Sequence, residues 1–429
     1  MVLGSVVKPP SGSARPKNAS AGPLTSDNYP MEPSISRLRV QDVLVFCVLG
    51  LLALGVVMVQ SASFNVTGQV GFRWTTLATK HAVFVVLAVI TFFLVGRMDH
   101  RKLAGQGWRN RVYWLLGLAI LACIAVFVIG EERNGARRWI KLTPALGPLG
   151  VVTLQPSELA KWAVVIFLAW FLACRPDRVR DLVKGFGFAL LPVGVICVLV
   201  VIEDLGTAAL IALAALLILL AGRAKWWHLA MIVPPVLAAG YWFVRHREYR
   251  WKRLTAFVDP WSDPQGDGYH MIQSLLSFAT GGLAGKGLGN GIQKLGYLPE
   301  DTTDFIFSVI CEETGLFGAL LTITLYLGII YVGWQVIRQN RDSFGRLLAF
   351  GVTAMISLQA LINIAVATVS IPTKGLSLPL VSAGGSGLVI TCAALGLLYS
   401  VARHEASAQP DDAPAPADPE AQPQLIGAS

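Results

Sequence analysis

The sequence predicts an all-α fold, a polytopic membrane protein with about ten transmembrane helices and a large extracytoplasmic loop between helices 7 and 8. Of its 429 residues, 54% are hydrophobic and 14% charged, where a soluble domain carries roughly 25% charged residues. Mean hydropathy is +0.59, and the apolar residues gather into ten runs, most of them near the roughly 20 residues a membrane-spanning helix needs. Lys and Arg are unequally shared between the two sets of connecting segments that such crossings define, a bias expected of a chain that crosses a bilayer repeatedly. These observations exclude a soluble enzyme, a nucleic-acid-binding protein and a disordered chain, and they make the net charge of +9 an orientation signal.

The first run, Val40 to Gln60, lies behind a polar tail with five Lys/Arg, so it reads as a retained helix and not a cleaved signal. His81 to Gly96 is short and borrows flanking residues, as do Leu159 to Ala173 and the last run, Leu388 to Ala402; Val112 to Gly130 is long enough alone. Glu203-Asp204 divides what would be one long run into Phe186 to Ile202 and Leu205 to Gly222, two helices joined by a tight turn. Trp226 to Val244 contains Pro234-Pro235, which predicts a kink. After the long loop come Phe305 to Ile337 and Leu347 to Ser370. Residues 1–36 and 404–429 lack apolar periodicity and read as disordered tails flanking a ten-helix body over 37–403, whose long loop is 245–304. The six cysteines sit in or beside apolar runs without C-x-x-C pairing and read as small buried hydrophobes.

Ten spans put both ends on one side. The tails and the connections on their side hold 20 Lys/Arg, against 7 in the short connections opposite, so both termini are expected in the cytoplasm. The unusual polar segments then fall together on the extracytoplasmic face: Gly135 to Trp139, Gln155 to Glu158, Glu203-Asp204, the long loop and Pro372 to Gly375. Five segments converging on one membrane surface suggest a shared site for something held at the bilayer, although outer loops need no function to be loops.

Familiar catalytic patterns are missing. Thr280 and Gly287 break a P-loop around Lys286, and the glycines from Gly285 to Gly291 alternate without forming G-x-G-x-x-G. Ser157 and Lys161 are four apart, not the three of S-x-x-K, and Gly384 to Gly387 is no nucleophile elbow. The histidines stand singly, without zinc spacing, so neither covalent catalysis nor a tightly held metal is expected.

Four groups of residues remain as candidates. Glu158 and Lys161, three apart at a helix start, share a face; the pair suits a salt bridge that lets a helix end enter lipid, and also a functional intramembrane pair. Arg138 beside Trp139 suits interfacial anchoring and equally an anionic phosphate. Asp304 directly precedes the eighth span, where burial would raise its pKa and a helix dipole or cation would lower it; taken alone it reads as a helix cap. Glu312 and Glu313, roughly 12 to 13 Å further along the axis, are too far for a dyad with it and are expected to pair with another helix, which leaves Glu300 as the helper near Asp304. Finally Ser382, Gly384, Gly385 and Ser386 open the last span with small residues that favour close helix packing and that can also present N–H groups to pyrophosphate.

The run Gly268-Tyr269, Gln273-Ser274, Gly281-Gly282, Gly285 to Asn290, Gln293 to Leu295, Tyr297 to Glu300 and Thr303 to Phe307 resembles the SEDS (shape, elongation, division and sporulation) family. So do Gly135 to Trp139, Gln155 to Lys161, Asp204 to Thr207 and Pro372 to Pro379, so that the resemblance covers roughly residues 40 to 403. It implies a bacterial glycosyltransferase that polymerises lipid II into peptidoglycan at the outer face of the cytoplasmic membrane, with the catalytic aspartate falling on Asp304. It implies a class B penicillin-binding protein and other divisome proteins as partners, no nucleic acid, and no tightly bound cofactor beyond a possible divalent cation, Mg or Mn. Pro372 to Gly375 and the Gly-Leu-Gly-Asn preceding Gln293-Lys294-Leu295 look like the division branch more than the elongation branch. Thr303, Ala279-Thr280 and Ala383 depart from the family's His, Gly-Ser and Tyr. On this reading Arg138, Lys161 or Lys374 opposes pyrophosphate charge, with Glu158, Glu300, Ser382, Gly384, Gly385 and Ser386 around the substrate. A lipid II flippase, an elongation-type polymerase and a divisome scaffold are the alternatives.

Overall fold

A computed structural model describes residues 39–63, 76–104, 110–133, 136–141, 153–246 and 248–408. Twelve α-helices follow one another through these residues: α1 (Val40–Ser63), α2 (Thr76–Arg97), α3 (Arg111–Ile129), α4 (Pro156–Cys174), α5 (Phe188–Glu203), α6 (Leu205–Ala221), α7 (Trp226–Arg245), α8 (Glu248–Val258), α9 (Tyr269–Gly281), α10 (Ile306–Gln339), α11 (Ser343–Ala367) and α12 (Ser386–Ala408). Among the described residues, nine helical segments are long and apolar enough to cross a membrane, and α6, at 17 residues, is a shorter apolar helix. The protein is a multi-pass membrane protein.

The short runs borrow residues as expected: α2 begins at Thr76 and α12 continues to Ala408, into the stretch read as tail. The tails otherwise, Gly135 and much of the first connection lie outside the described residues. The turn at Glu203-Asp204 is a single residue: the Asp204 carboxylate caps α6, accepting hydrogen bonds from Thr207 N (3.0 Å) and Thr207 Oγ1 (3.0 Å). α7 runs through Pro234-Pro235 as one helix.

Two features differ from the sequence reading. A small antiparallel sheet, β1 (Glu131–Arg133), β2 (Ala136–Lys141) and β3 (Thr153–Leu154) in the order β1-β2-β3, sits between α3 and α4. Its strands are short and charged, so hydropathy cannot reveal them, and a cross-strand Lys141–Glu131 ion pair (2.9 Å) helps tie β2 to β1. Second, α10 breaks at Gly315 (φ 64°, ψ −156°). A side chain there would lie 2.4 Å from Gly285 N and 2.5 Å from Leu283 O, so only glycine lets the long loop press against the break.

Glu312 and Glu313, both fully buried beside the break, bind that loop and not chiefly a helix as the sequence reading expected. Glu312 accepts from Lys286 Nζ (2.8 Å), Ile292 N (2.9 Å) and Gln293 N (3.1 Å). Glu313 pairs with Lys294 (2.5 Å) and accepts from Gly289 N (3.1 Å) and from Ser61 of α1. The lysines that meet these carboxylates lie in a glycine-rich segment, so pairing partners could not be chosen from helical periodicity.

The core sits around α4, whose spanning segment is 72% buried, and around α11 and α12 at 61%; α7, at 6%, is the peripheral span. α12 lies along α2, with Gly96 and Gly396 at their contact, where an added Cβ would meet Tyr399 Cδ1 at 2.7 Å and Phe92 O at 2.6 Å. Small residues there bring the two backbones together, the usual device where lipid offers no hydrophobic drive between helices.

Candidate active site

The polar segments of the sequence line one cavity of about 820 Å³. Four helices begin at it: Gln155 and Glu158 come from the start of α4, Thr207 from α6, Asp304 and Phe305 from α10, and Gly385 and Gly387 from α12. Converging helix N-termini supply positive potential and unsatisfied N–H groups, which suits a polyanionic substrate. The end of α11 leads into the segment Thr373 to Leu380, which closes the wall between α10 and α12.

Asp304 stands where this wall meets α10. The residue capping α10 is Phe305, and no side chain caps that helix start, so the structure removes the capping role that position alone suggested. Asn363 of α11 holds the segment from behind, its Nδ2 donating to Asp304 O (2.8 Å) and Leu376 O (2.7 Å). The carboxyl group is open to the cavity and enclosed by protein elsewhere. Burial, followed by the charges of Glu300 and Asp204, pushes its pKa up to about 7 against the pull of Arg138 and Arg253. A carboxylate tuned near neutrality is matched to accepting a proton.

A Cβ on Gly375 would sit 3.1 Å from Asp304 Oδ2 and 3.7 Å from Arg138 Nη1, so glycine at this position leaves room for the acid and the guanidinium together. Arg138 on β2 is aimed by two partners, donating from Nε to Glu203 O (2.9 Å) and pairing through Nη1 with Asp204 Oδ2 (3.4 Å). Arg137 N donates to the Glu203 carboxylate (2.7 Å), which anchors the sheet to the end of α5. Lys374 also lines the cavity, its pKa lowered by burial and supported by Asp204. Glu300 adopts a left-handed backbone (φ 57°), and its carboxylate accepts from Thr303 Oγ1 (2.8 Å), shaping the turn that presents Asp304.

Glu158 reaches the cavity, while Lys161 is fully buried behind it; they pair at 2.8 Å. Lys161 Nζ donates onward to Gln359 Oε1 (2.7 Å), and Gln359 Nε2 donates to Ser377 O (2.9 Å), so the pair fastens α4 to α11 and to the wall segment. A side chain on Gly387 would crowd Glu158 Oε2 at 3.1 Å. Ser382 lines the same cavity but spends its hydroxyl on the framework, donating to Thr303 O (2.6 Å) and accepting from Leu378 N (2.7 Å). Gly384 and Gly385 face the cavity, and Ser386 Oγ accepts from Gln155 N (3.3 Å) at its edge.

Gln359, Asn363, Arg253 and His270 belong to this site and were absent as individual sequence candidates, and Asp204 was present only as part of a converging polar segment. His270 of α9 stacks on Phe305 with ring centroids 6.1 Å apart, and its pKa is lowered by burial and by Arg253. Gln359 and Asn363 lie one helical turn apart inside an apolar run, and that polar pair was the available signal.

Comparison with known proteins converges on one family. The chain is 42% identical over 362 residues to a probable peptidoglycan glycosyltransferase FtsW of Nitrosococcus halophilus, covering 82% of this chain and 89% of that one. It is 37% identical over 362 residues to the FtsW so described from Aliivibrio salmonicida, covering 83% and 88%. A solved chain from a peptidoglycan synthase complex that coordinates polymerization and crosslinking matches with a TM-score of 0.68 at 29% identity, over 84% of this chain and 97% of that chain. The sequence profile of FtsW, RodA and SpoVE, described as cell cycle protein, matches residues 41–407, and the chain belongs to that family.

Proposed function

We propose that this protein is a peptidoglycan glycosyltransferase that polymerises lipid II at the outer face of the bacterial cytoplasmic membrane, for septal wall synthesis. The observation that carries this reading is Asp304: a carboxyl with a pKa near 7, in a cavity at the ends of membrane helices, with Arg138 beside it where Gly375 leaves room for both. The names of its relatives support the reaction class.

In this mechanism the acceptor sugar's 4-hydroxyl gives its proton to an Asp304 carboxylate oxygen as the hydroxyl oxygen attacks the anomeric carbon of the donor. The bond from that carbon to the undecaprenyl pyrophosphate breaks on the opposite face, so the configuration inverts and the pyrophosphate leaves with the bonding electrons. Arg138, Lys374 and the four helix N-termini oppose the charge that develops there. Glu158 and Lys161 hold the α4 wall in place. Among the described residues, no trio of carboxylate or imidazole groups around this cavity approaches metal-ligand spacing, so a divalent cation such as Mg²⁺ or Mn²⁺ would enter as the counter-ion of the pyrophosphate.

The charge asymmetry supports cytoplasmic termini, and the likeness to a chain of a peptidoglycan synthase complex supports a crosslinking partner, a class B penicillin-binding protein, within a larger division assembly. The test is purified protein in nanodiscs with lipid II, with and without the transpeptidase, resolving glycan polymer on gels and lipid translocation in liposomes. Polymer that requires Asp304 supports the proposal; translocation without polymer overturns it in favour of a flippase.

A further inference from the structure

At the opposite end of α12 from the cavity, about 27 Å from Ser386 at 1.5 Å per residue, Asp99, His100 and His404 bring one ligand atom each within 4.8 Å of one another. Asp99 and His100 follow the end of α2, and His404 lies in the last turns of α12. Asp99 Oδ1 is 3.9 Å from both His100 Nδ1 and His404 Nε2. Donors on a tetrahedral ion with bonds of about 2.0–2.1 Å stand roughly 3.3 Å apart, so Asp99 needs to close on each histidine by about half an ångström, and the two histidine nitrogens, within 4.8 Å of each other, by up to about 1.5 Å. The imidazole centroids are 5.6 Å apart, against roughly 5 Å for two rings sharing such an ion.

The groups behind the ligands have the arrangement that metal-binding histidines use. His404 Nδ1 lies 2.8 Å from Ser400 O, an N–H···O contact that leaves Nε2 as the lone-pair nitrogen facing Asp99. His100 is 1% exposed; its Nε2 makes no hydrogen bond of good geometry and faces Asp342 Oδ2 at 3.5 Å. His100 Nδ1 lies 3.5 Å from Ser400 Oγ; an ion taking this nitrogen in place of that contact would make Nε2 a committed N–H donor toward the Asp342 carboxylate, completing a carboxylate–histidine–metal relay and satisfying the buried nitrogen. Asp342 itself is fixed as the cap of α11, accepting from Gly345 N (3.0 Å). Sequence spacing cannot reveal this group, because its histidines come from opposite ends of the helical body.

We propose that Asp99, His100 and His404 bind a divalent transition metal of the zinc class, with solvent as the fourth ligand. Two imidazoles and one carboxylate as the donor set select Zn²⁺ over oxygen-seeking Mg²⁺ or Ca²⁺. The ion ties the end of α2 to the end of α12, and so sets the position of the helix whose other end carries Gly385 and Gly387 to the cavity. Ser400 already marks this junction, donating to Met98 O (2.6 Å) and accepting from His100 N (3.3 Å).

The test uses the full chain without a histidine tag, stripped by chelator in nanodiscs and titrated with Co²⁺, whose visible absorption reports tetrahedral coordination, followed by displacement with Zn²⁺. One ion per chain is expected, with a rise in Tm on adding Zn²⁺. His404→Gln and Asp99→Asn, at partly exposed positions, should lose the absorption and the Tm rise. Asp342→Asn keeps a helix cap and should weaken binding by about 10- to 100-fold. His246→Gln, at an exposed histidine elsewhere, should change neither. No tetrahedral absorption in the wild type, or equal binding by wild type and both ligand variants, overturns the proposal.

Discussion

Replacing Asp304 by Asn should separate catalysis from stability in opposite directions. The carboxyl is held near pKa 7 in the folded protein, against about 3.9 when unfolded. The folded state therefore binds the proton more tightly between these values, and stability falls as pH rises from the unfolded pKa through the folded one. At about 1.36 kcal/mol per pH unit, the gap of roughly three units makes the charged carboxylate cost up to about 4 kcal/mol above pH 7, an upper bound because one side of it meets cavity water. The amide removes that charge, so Asp304→Asn should raise Tm at pH 8 and by only about a third as much at pH 5, where roughly one of the three units of the window has been crossed. No capping interaction is lost, because the Asp304 side chain does not cap α10. Polymerisation should fall by about 10²–10⁴-fold, the usual contribution of a positioned base, equivalent to about 3–5.5 kcal/mol of barrier. Thermal unfolding at the two pH values and lipid II polymerisation on gels measure both arms. Polymer formation within tenfold of wild type, or a Tm lowered equally at both pH values, would refute the base assignment.

Four further outcomes follow from the same geometry. Because the base acts deprotonated, kcat/KM should fall about tenfold per pH unit below about 7 and level off above it; a profile flat from pH 5 to 8 argues against a single carboxylate base. Lys161→Met leaves Glu158 unpaired at the cavity wall and should cost about 3–5 kcal/mol, seen as lost folded yield, whereas the double variant Glu158→Gln/Lys161→Met should recover part of that yield. Glu312→Gln weakens three charge-assisted contacts to the glycine-rich loop, so limited proteolysis between Lys286 and Lys294 should accelerate before turnover per folded molecule declines; unchanged cleavage counts against the clamp. Reporter fusions at Ser13 and Ala415 should read cytoplasmic and one at Gln265 outside; an outside C-terminus reverses the orientation of the site.

Composition and hydropathy were enough to identify a multi-pass helical body, because in a bilayer every backbone polar group must be satisfied within its own helix and the sequence has to supply apolar segments of the necessary length. The single-residue turn at Asp204 was legible for the same reason, since two carboxylates interrupting an apolar run can only mark a helix end. Asp304 was legible as a position and ambiguous as chemistry: a cap and a base look alike until the tertiary structure shows Phe305 taking the cap and Arg138 and Asp204 arriving from two other segments, beside Glu300 of its own turn, to set its pKa. The break at Gly315, the lysines that neutralise Glu312 and Glu313, and the meeting of His100 with His404 were decided only by folding. Each depends on groups far apart in the chain whose contact is set by how helices and loops pack, and no periodicity along the sequence carries that information. What local physics dictates, the length, polarity and ends of helices, can be read residue by residue; the electrostatics of a site are a property of the neighbours that the packed structure brings to it.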